Sequence, residues 1–154
     1  MLGDDERKEI AAEIERFEDQ RGACVEALKI VQRHRGFVSD EALQDIAPLL
    51  GMRVDELDGI ATFYSFIFRK PVGRHMILVC DSVSCWIMGY EEILKHLKER
   101  LGIGFGETTG DGRFTLLPVS CIGSCHQAPA LMVDGMLYGD LDIPKVNEIL
   151  KSYP

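Results

Sequence analysis

Residues 74–102 read RHMILVCDSVSCWIMGYEEILKHLKERLG, and the change of period within this stretch decides the fold. The run ending at Cys80 is short and apolar, which suits a buried strand. From Gly89 onward Ile93, Leu94, Leu97 and Leu101 recur along one side of an amphipathic helix. A strand that feeds a helix needs a second strand to return to. ETTGDGRFTLLPVSC, ending at Cys121, supplies a glycine-rich turn followed by one. A right-handed crossover makes these two strands parallel neighbours.

Downstream, ALMVDGMLYG is a strand pair about Asp134-Gly135, a strong two-residue hairpin signal. DIPKVNEILKSY closes the chain as a helix with Pro144 in its first turn. The resulting order, β-α-β-β-β-α, is a thioredoxin-like topology with a four-stranded mixed sheet. In such folds a cis proline precedes the third strand, and Pro129 stands at that place, so a cis Ala128–Pro129 bond is expected.

Upstream the pattern is helical. Ile10, Ile14 and Phe17 recur at helical spacing, as do Cys24, Leu28 and Val31. Ser39 reads as an N-cap, with Asp40 and Glu41 in the first turn, for a helix carrying Leu43, Ile46, Ala47 and Leu50. Gly51 is its stop, and Pro48 is expected to end or kink it near Ala47. A further helix fits VDELDGIATFYSF from Val54. The fold class is therefore α+β, with a helical N-terminal region over 1–72 and a thioredoxin-like domain over 73–154.

Composition removes several functions. With 17 Lys and Arg against 25 Asp and Glu, the formal charge of −8 disfavours nucleic acid. The helix-turn-helix-like spacing in IAPLLGMRVDELDGIATFY fails on the same ground. Its would-be recognition helix carries Asp55, Glu56 and Asp58 and no base. LGIGFGETTGDG follows a helix and lacks the Lys-Ser/Thr ending of a phosphate loop. The apolar runs are too short to span a bilayer. Residues 1–20 are charged throughout with no secretory signal, so a cytoplasmic location is expected and structural disulfides are not.

Chemistry is left to the cysteines. Cys80 ends one strand, Cys121 follows the next, and that edge of an open α/β sheet collects ligands. Cys85 and Cys125 lie a few residues beyond each. Four thiolates there suit zinc or an iron–sulfur cluster. Neither pair has the two-residue spacing of zinc knuckles, and C-x4-C is wide enough to wrap a [2Fe–2S] cluster. Gly123 lets backbone amides approach sulfur, and the helix starting near Gly89 directs its positive end toward the site. The spacing favours [2Fe–2S], leaving zinc, disulfides and bystander thiols as alternatives.

The run CDSVSC…GETTGDGRFTLLPVSCIGSCHQAPALMVDGMLYG, together with GIATFYSF, RHRGFVSDEALQDIA and PVGRHMILVC, closely resembles the thioredoxin-like [2Fe–2S] subunit of respiratory complex I, the NuoE family. The resemblance implies that Cys80, Cys85, Cys121 and Cys125 ligate a [2Fe–2S] cluster. It also implies an electron-transfer role in an NADH:quinone oxidoreductase, beside a NuoF-type flavoprotein subunit that binds NADH and FMN. Neither NADH nor FMN is expected in this chain. Related subunits serve NAD-linked hydrogenases and formate dehydrogenases, and a structural zinc module for assembly is the remaining alternative. The family often has histidine after the second ligand, where this chain has Trp86.

Other residues have plainer readings. Cys24 is expected in the core beside Leu28 and Val31. Trp86 either shields the site or fills the core. The aromatic run Phe63, Tyr64, Phe66 and Phe68 is too crowded for one helix face, so some of it is expected to pack the helical region and some to meet a partner, with core the favoured reading for each single residue. His126, beside Cys125, is not needed once four cysteines complete the set.

Overall fold

The computed structural model describes residues 1–154. They form two compact units, Met1–Pro71 and Val72–Pro154. No helix is long and apolar enough to cross a membrane.

The first unit contains α1 (Asp4–Ile14), α2 (Cys24–Arg35), α3 (Asp40–Leu49) and α4 (Val54–Phe63), with a 3-10 turn at Gln20–Ala23. Each start has a local cause. Asp4, Asp5 and Glu6 place negative charge at the N-terminal end of α1, and the Glu6 carboxylate accepts the Gly3 N–H at 2.7 Å. The Ser39 hydroxyl caps α3 by accepting the Ala42 N–H at 3.2 Å. Gly36, at φ +82°, ends α2 in the left-handed conformation that a side chain disfavours. Ile10, Leu28, Ile46, Leu50 and Leu57 are fully buried in the core of this unit, and Cys24 packs against its edge. Glu6, only 4% exposed, meets the Arg35 guanidinium at 2.6 Å, and this holds the Glu6 carboxyl below its usual range.

Three expectations fail here. The first helix stops at Ile14, and Phe17 lies beyond it, exposed. The third helix runs through Pro48 to Leu49. Proline removes only its own amide bond, and so near the C-terminus the Leu50 N–H still reaches the Ile46 carbonyl at 3.3 Å. Most of the aromatic run is not core: Phe63 is 80% exposed, Tyr64 and Phe66 are also exposed, and Phe68 is half-buried. Gln32 explains the last result. Its amide donates to the Phe66 carbonyl at 2.8 Å and accepts the Phe68 N–H at 2.6 Å, fixing the backbone so that these rings point outward.

The second unit contains β1 (His75–Cys80), α5 (Val83–Ile87), α6 (Tyr90–Leu101), β2 (Phe114–Val119), β3 (Leu131–Val133), β4 (Met136–Tyr138) and α7 (Ile143–Ser152). The sheet order is β2-β1-β3-β4. β1 and β2 are parallel, and β3 is antiparallel to both β1 and β4, which makes the mixed sheet expected of an α+β thioredoxin-like fold. Leu97 on α6 and Val146 on α7 are fully buried with Ile77 and Leu116 of the sheet. Burial of each such side chain contributes about 1.5–3 kcal/mol. Asp134 and Gly135 both have positive φ, as a two-residue hairpin turn requires. The Ala128–Pro129 bond is cis.

Candidate metal centre

The parallel register sets the cysteines. Cys80 is opposite Val119, so β1 and β2 end together. The Asp81 N–H donates to the Val119 carbonyl at 3.0 Å, and the Cys80 N–H to the Ala130 carbonyl at 3.2 Å. These bonds bring the segment after β1, the loop after β2 and the lead into β3 to one end of the sheet. Cys85 does not sit on a plain loop. It lies on α5, a five-residue helix that the periodicity of the sequence does not announce.

The four thiols divide by exposure. Cys80 and Cys85 are 2% and 1% exposed and pack with Ala128 and Ala130, whereas Cys121 and Cys125 are exposed. Burial, then the neighbouring Cys80 thiol, pushes the Cys85 thiol up to about 11, while the Ala130 backbone N–H acts the other way. The charge of Cys125 also reaches Cys85. The Cys121 sulfur accepts the Gly123 N–H at 3.4 Å, and Gly123 has φ +78°. No group of three or more His, Cys, Asp and Glu side chains is set at metal-binding spacing. A two-iron cluster takes its protein ligands in pairs, one pair on each iron. The donor set fits such a group: soft sulfur throughout, two thiols excluded from water, and backbone N–H groups directed at sulfur. Cys24 belongs to the other unit.

Tyr90, the first residue of α6, is a site residue that the sequence reading misses. It packs against Cys80 and Cys85, and burial followed by the charges of Asp81 and Cys80 raises its phenol. A signal is present, because Tyr90 stands three positions before Ile93 on the same helical stripe. Trp86 does not fill the core. It is 58% exposed, and its indole N–H donates to Glu91 Oε1 at 3.3 Å. His126 is exposed, and its ring makes no hydrogen bond within the chain.

Residues 10–154 match the family described as thioredoxin-like [2Fe-2S] ferredoxin. The chain belongs to that family. Its cofactor class is therefore the [2Fe–2S] cluster that the cysteine spacing favours. Among relatives of this ferredoxin-like chain, the E subunit of NADH-quinone oxidoreductase from Pseudomonas aeruginosa is 50% identical over 153 residues, covering 99% of this chain and 92% of that protein. Its counterpart from Escherichia coli strain K12 is 49% identical over 148 residues, covering 96% and 89%. Among solved structures, an air-oxidized NAD+-reducing [NiFe]-hydrogenase aligns with a TM-score of 0.73 at 26% identity. That alignment covers 89% of this chain but 24% of the hydrogenase chain.

Proposed function

We propose that this chain is the electron-transfer subunit of an NADH:quinone oxidoreductase, holding one [2Fe–2S] cluster on Cys80, Cys85, Cys121 and Cys125. In this reading residues 73–154 form the cluster domain and 1–72 a helical region. The observation that carries it is identity of about half, over nearly the full length, with the E subunits of two NADH-quinone oxidoreductases. The cysteine loops of this chain meet at one sheet end, as that role requires. When bound, the cluster supplies one-electron acceptance and release.

The chain's own part is to hold and orient. Cys80 and Cys85 provide a dry pair of ligands and Cys121 and Cys125 a solvent-side pair. Backbone N–H groups of Gly123 and Ala130 offset thiolate charge. No dinucleotide fingerprint is legible in the sequence, so NADH and FMN are assigned to a flavoprotein partner. The partner face is α5. Val83, Trp86, Ile87 and Met88 are all large, apolar and more than half exposed, beside the buried thiols. A cluster of this kind marks an interaction surface, and an acidic border of Asp81, Glu91 and Glu92 favours a basic rim opposite. We place the chain in the membrane-external arm of the assembly, on the cytoplasmic side.

A second host has a specific observation in its favour, the alignment with the NAD+-reducing hydrogenase. Both hosts use the same experiment. NADH is added to the purified, cluster-loaded chain with and without the flavoprotein subunit, and bleaching of the cluster absorption is followed. Reduction only in the mixture is expected. Reduction of the lone chain, or none in a stable mixture, refutes the reading; the flavoprotein that supports reduction distinguishes the hosts.

A further inference from the structure

The end of the sheet opposite the cysteines carries a different chemistry. Arg100 and Leu101 from the last turn of α6, Arg113 just before β2, and Asn147, Leu150 and Lys151 from α7 line a recess of about 360 Å3. β2 separates this recess from Cys121 by six residues, about 20 Å of extended chain. In a chain with 25 acids, three cations line this recess, and only Arg113 has a carboxylate within ion-pair reach. Neither Arg100 nor Lys151 has a salt bridge. The nearest carboxylate to Arg113 is Asp111, at 4.0 Å, and its buried Nε has no hydrogen-bond partner. The Asn147 side-chain oxygen is 3.0 Å from His96 Nε2, which leaves its NH2 group as a further donor. Among the side chains that line the recess, every polar group not already paired is a donor.

Helix-end compensation explains part of this arrangement, since a cation in the last turn offsets the negative end of a helix. It accounts for Arg100 on α6 and Lys151 on α7. It does not account for Arg113, which lies on neither helix and is two-thirds buried. The same helix ends select among anions. α6 and α7 both end beside the recess, and the negative character of two helix C-termini opposes a compact phosphate seated among them. Carboxylates spread along a chain avoid that conflict, because exposed Arg100 and Lys151 can meet them farther out.

We propose that this recess docks an acidic segment of a neighbouring protein chain, with Arg100, Arg113 and Lys151 pairing to its carboxylates. The site is independent of the electron-transfer reading and lies away from the face assigned to the flavoprotein.

The test uses the full-length, cluster-loaded chain and a fluorescein-labelled hexaglutamate peptide, followed by anisotropy. Binding at low ionic strength and release by salt are expected, although the protein as a whole is acidic. Arg100→Glu combined with Lys151→Glu should weaken binding about tenfold or more, with the cluster spectrum unchanged. Arg100→Lys with Lys151→Arg should retain it. Absence of binding, or binding indifferent to the charge reversal, overturns the proposal. Displacement of the peptide by an equal concentration of inorganic pyrophosphate also overturns it, in favour of a small-anion site.

Discussion

Cys80 and Cys85 share one dry compartment although one ends a strand and the other sits within a short helix. Their exposure sets them apart from Cys121 and Cys125, and this difference makes the four thiols chemically distinguishable. After removal of iron by chelation, alkylation should modify Cys121 and Cys125 first. Cys85, its thiol raised to about 11, should stay protonated at neutral pH and gain reactivity only as pH approaches that value. Mass spectrometry of timed alkylations reads the order. Uniform labelling of all four at neutral pH would contradict it.

Replacement of any one of these four by serine should lower cluster content, because a hydroxyl is a harder donor than the thiolate the cluster uses. Cys24→Ser should leave iron, sulfide and the visible spectrum unchanged. Equal sensitivity of Cys24 and Cys121 would remove the ligand assignment.

Gly139 tests how the cysteine loop is held. A Cβ there would lie 2.4 Å from Gln127 Cβ and 2.8 Å from its carbonyl oxygen, beside the bond from the Asp140 N–H to the Gln127 carbonyl. Gly139→Ala should therefore displace the short turn carrying Cys125 and cost about 1–3 kcal/mol. Reduced iron occupancy with an intact far-ultraviolet spectrum is the expected result. Wild-type occupancy would show that the turn yields without penalty.

Trp86 separates docking from folding. The side chain is mostly solvent-exposed, so Trp86→Ala should leave thermal stability and cluster content near wild type. If α5 meets the flavoprotein, the Kd for that partner should rise about tenfold or more, as for a buried aromatic anchor. Titration calorimetry with the two purified subunits measures this, and an unchanged Kd would move the contact elsewhere.

In the helical unit, Glu6 couples stability to pH. Its carboxyl lies below the ordinary value through hydrogen bonding to Arg35. Its contribution is thus complete above the ordinary carboxylate range and disappears as pH falls through the lowered folded value. Glu6→Gln should cost about 1.5–3 kcal/mol at neutral pH, the worth of hydrogen bonds to a charged group. The variant should also lose less stability than wild type as pH falls through and below the ordinary carboxylate range. Urea unfolding followed at several pH values gives both quantities.

Legibility in the sequence followed burial. β1, α6 and the Asp134-Gly135 hairpin are readable because their apolar residues face one core at a regular period, or because positive φ restricts residue choice. Helix α5 is not readable, since Val83, Trp86 and Ile87 face solvent and leave no buried stripe. The rings of Phe63 and Phe66 mislead for the same reason: their apolar character is legible, but the Gln32 bonds that turn them outward are made across the fold. At the metal centre the cysteines are evident, whereas the unequal exposure of the two pairs depends on how α5 and Tyr90 close over one of them.

The parallel pairing of β1 with β2 also sets an order of events during synthesis. Cys80 and Cys121 come from strands that become neighbours only after α6 has been made and the chain has crossed back. That closure is non-local and therefore slow compared with formation of the helices that precede it. On the ribosome the N-terminal helices emerge complete while Cys121 and Cys125 are still untranslated. Iron and sulfide thus have a competent receiver only when nearly the whole chain is out, and chains stalled before β2 should emerge without the cluster.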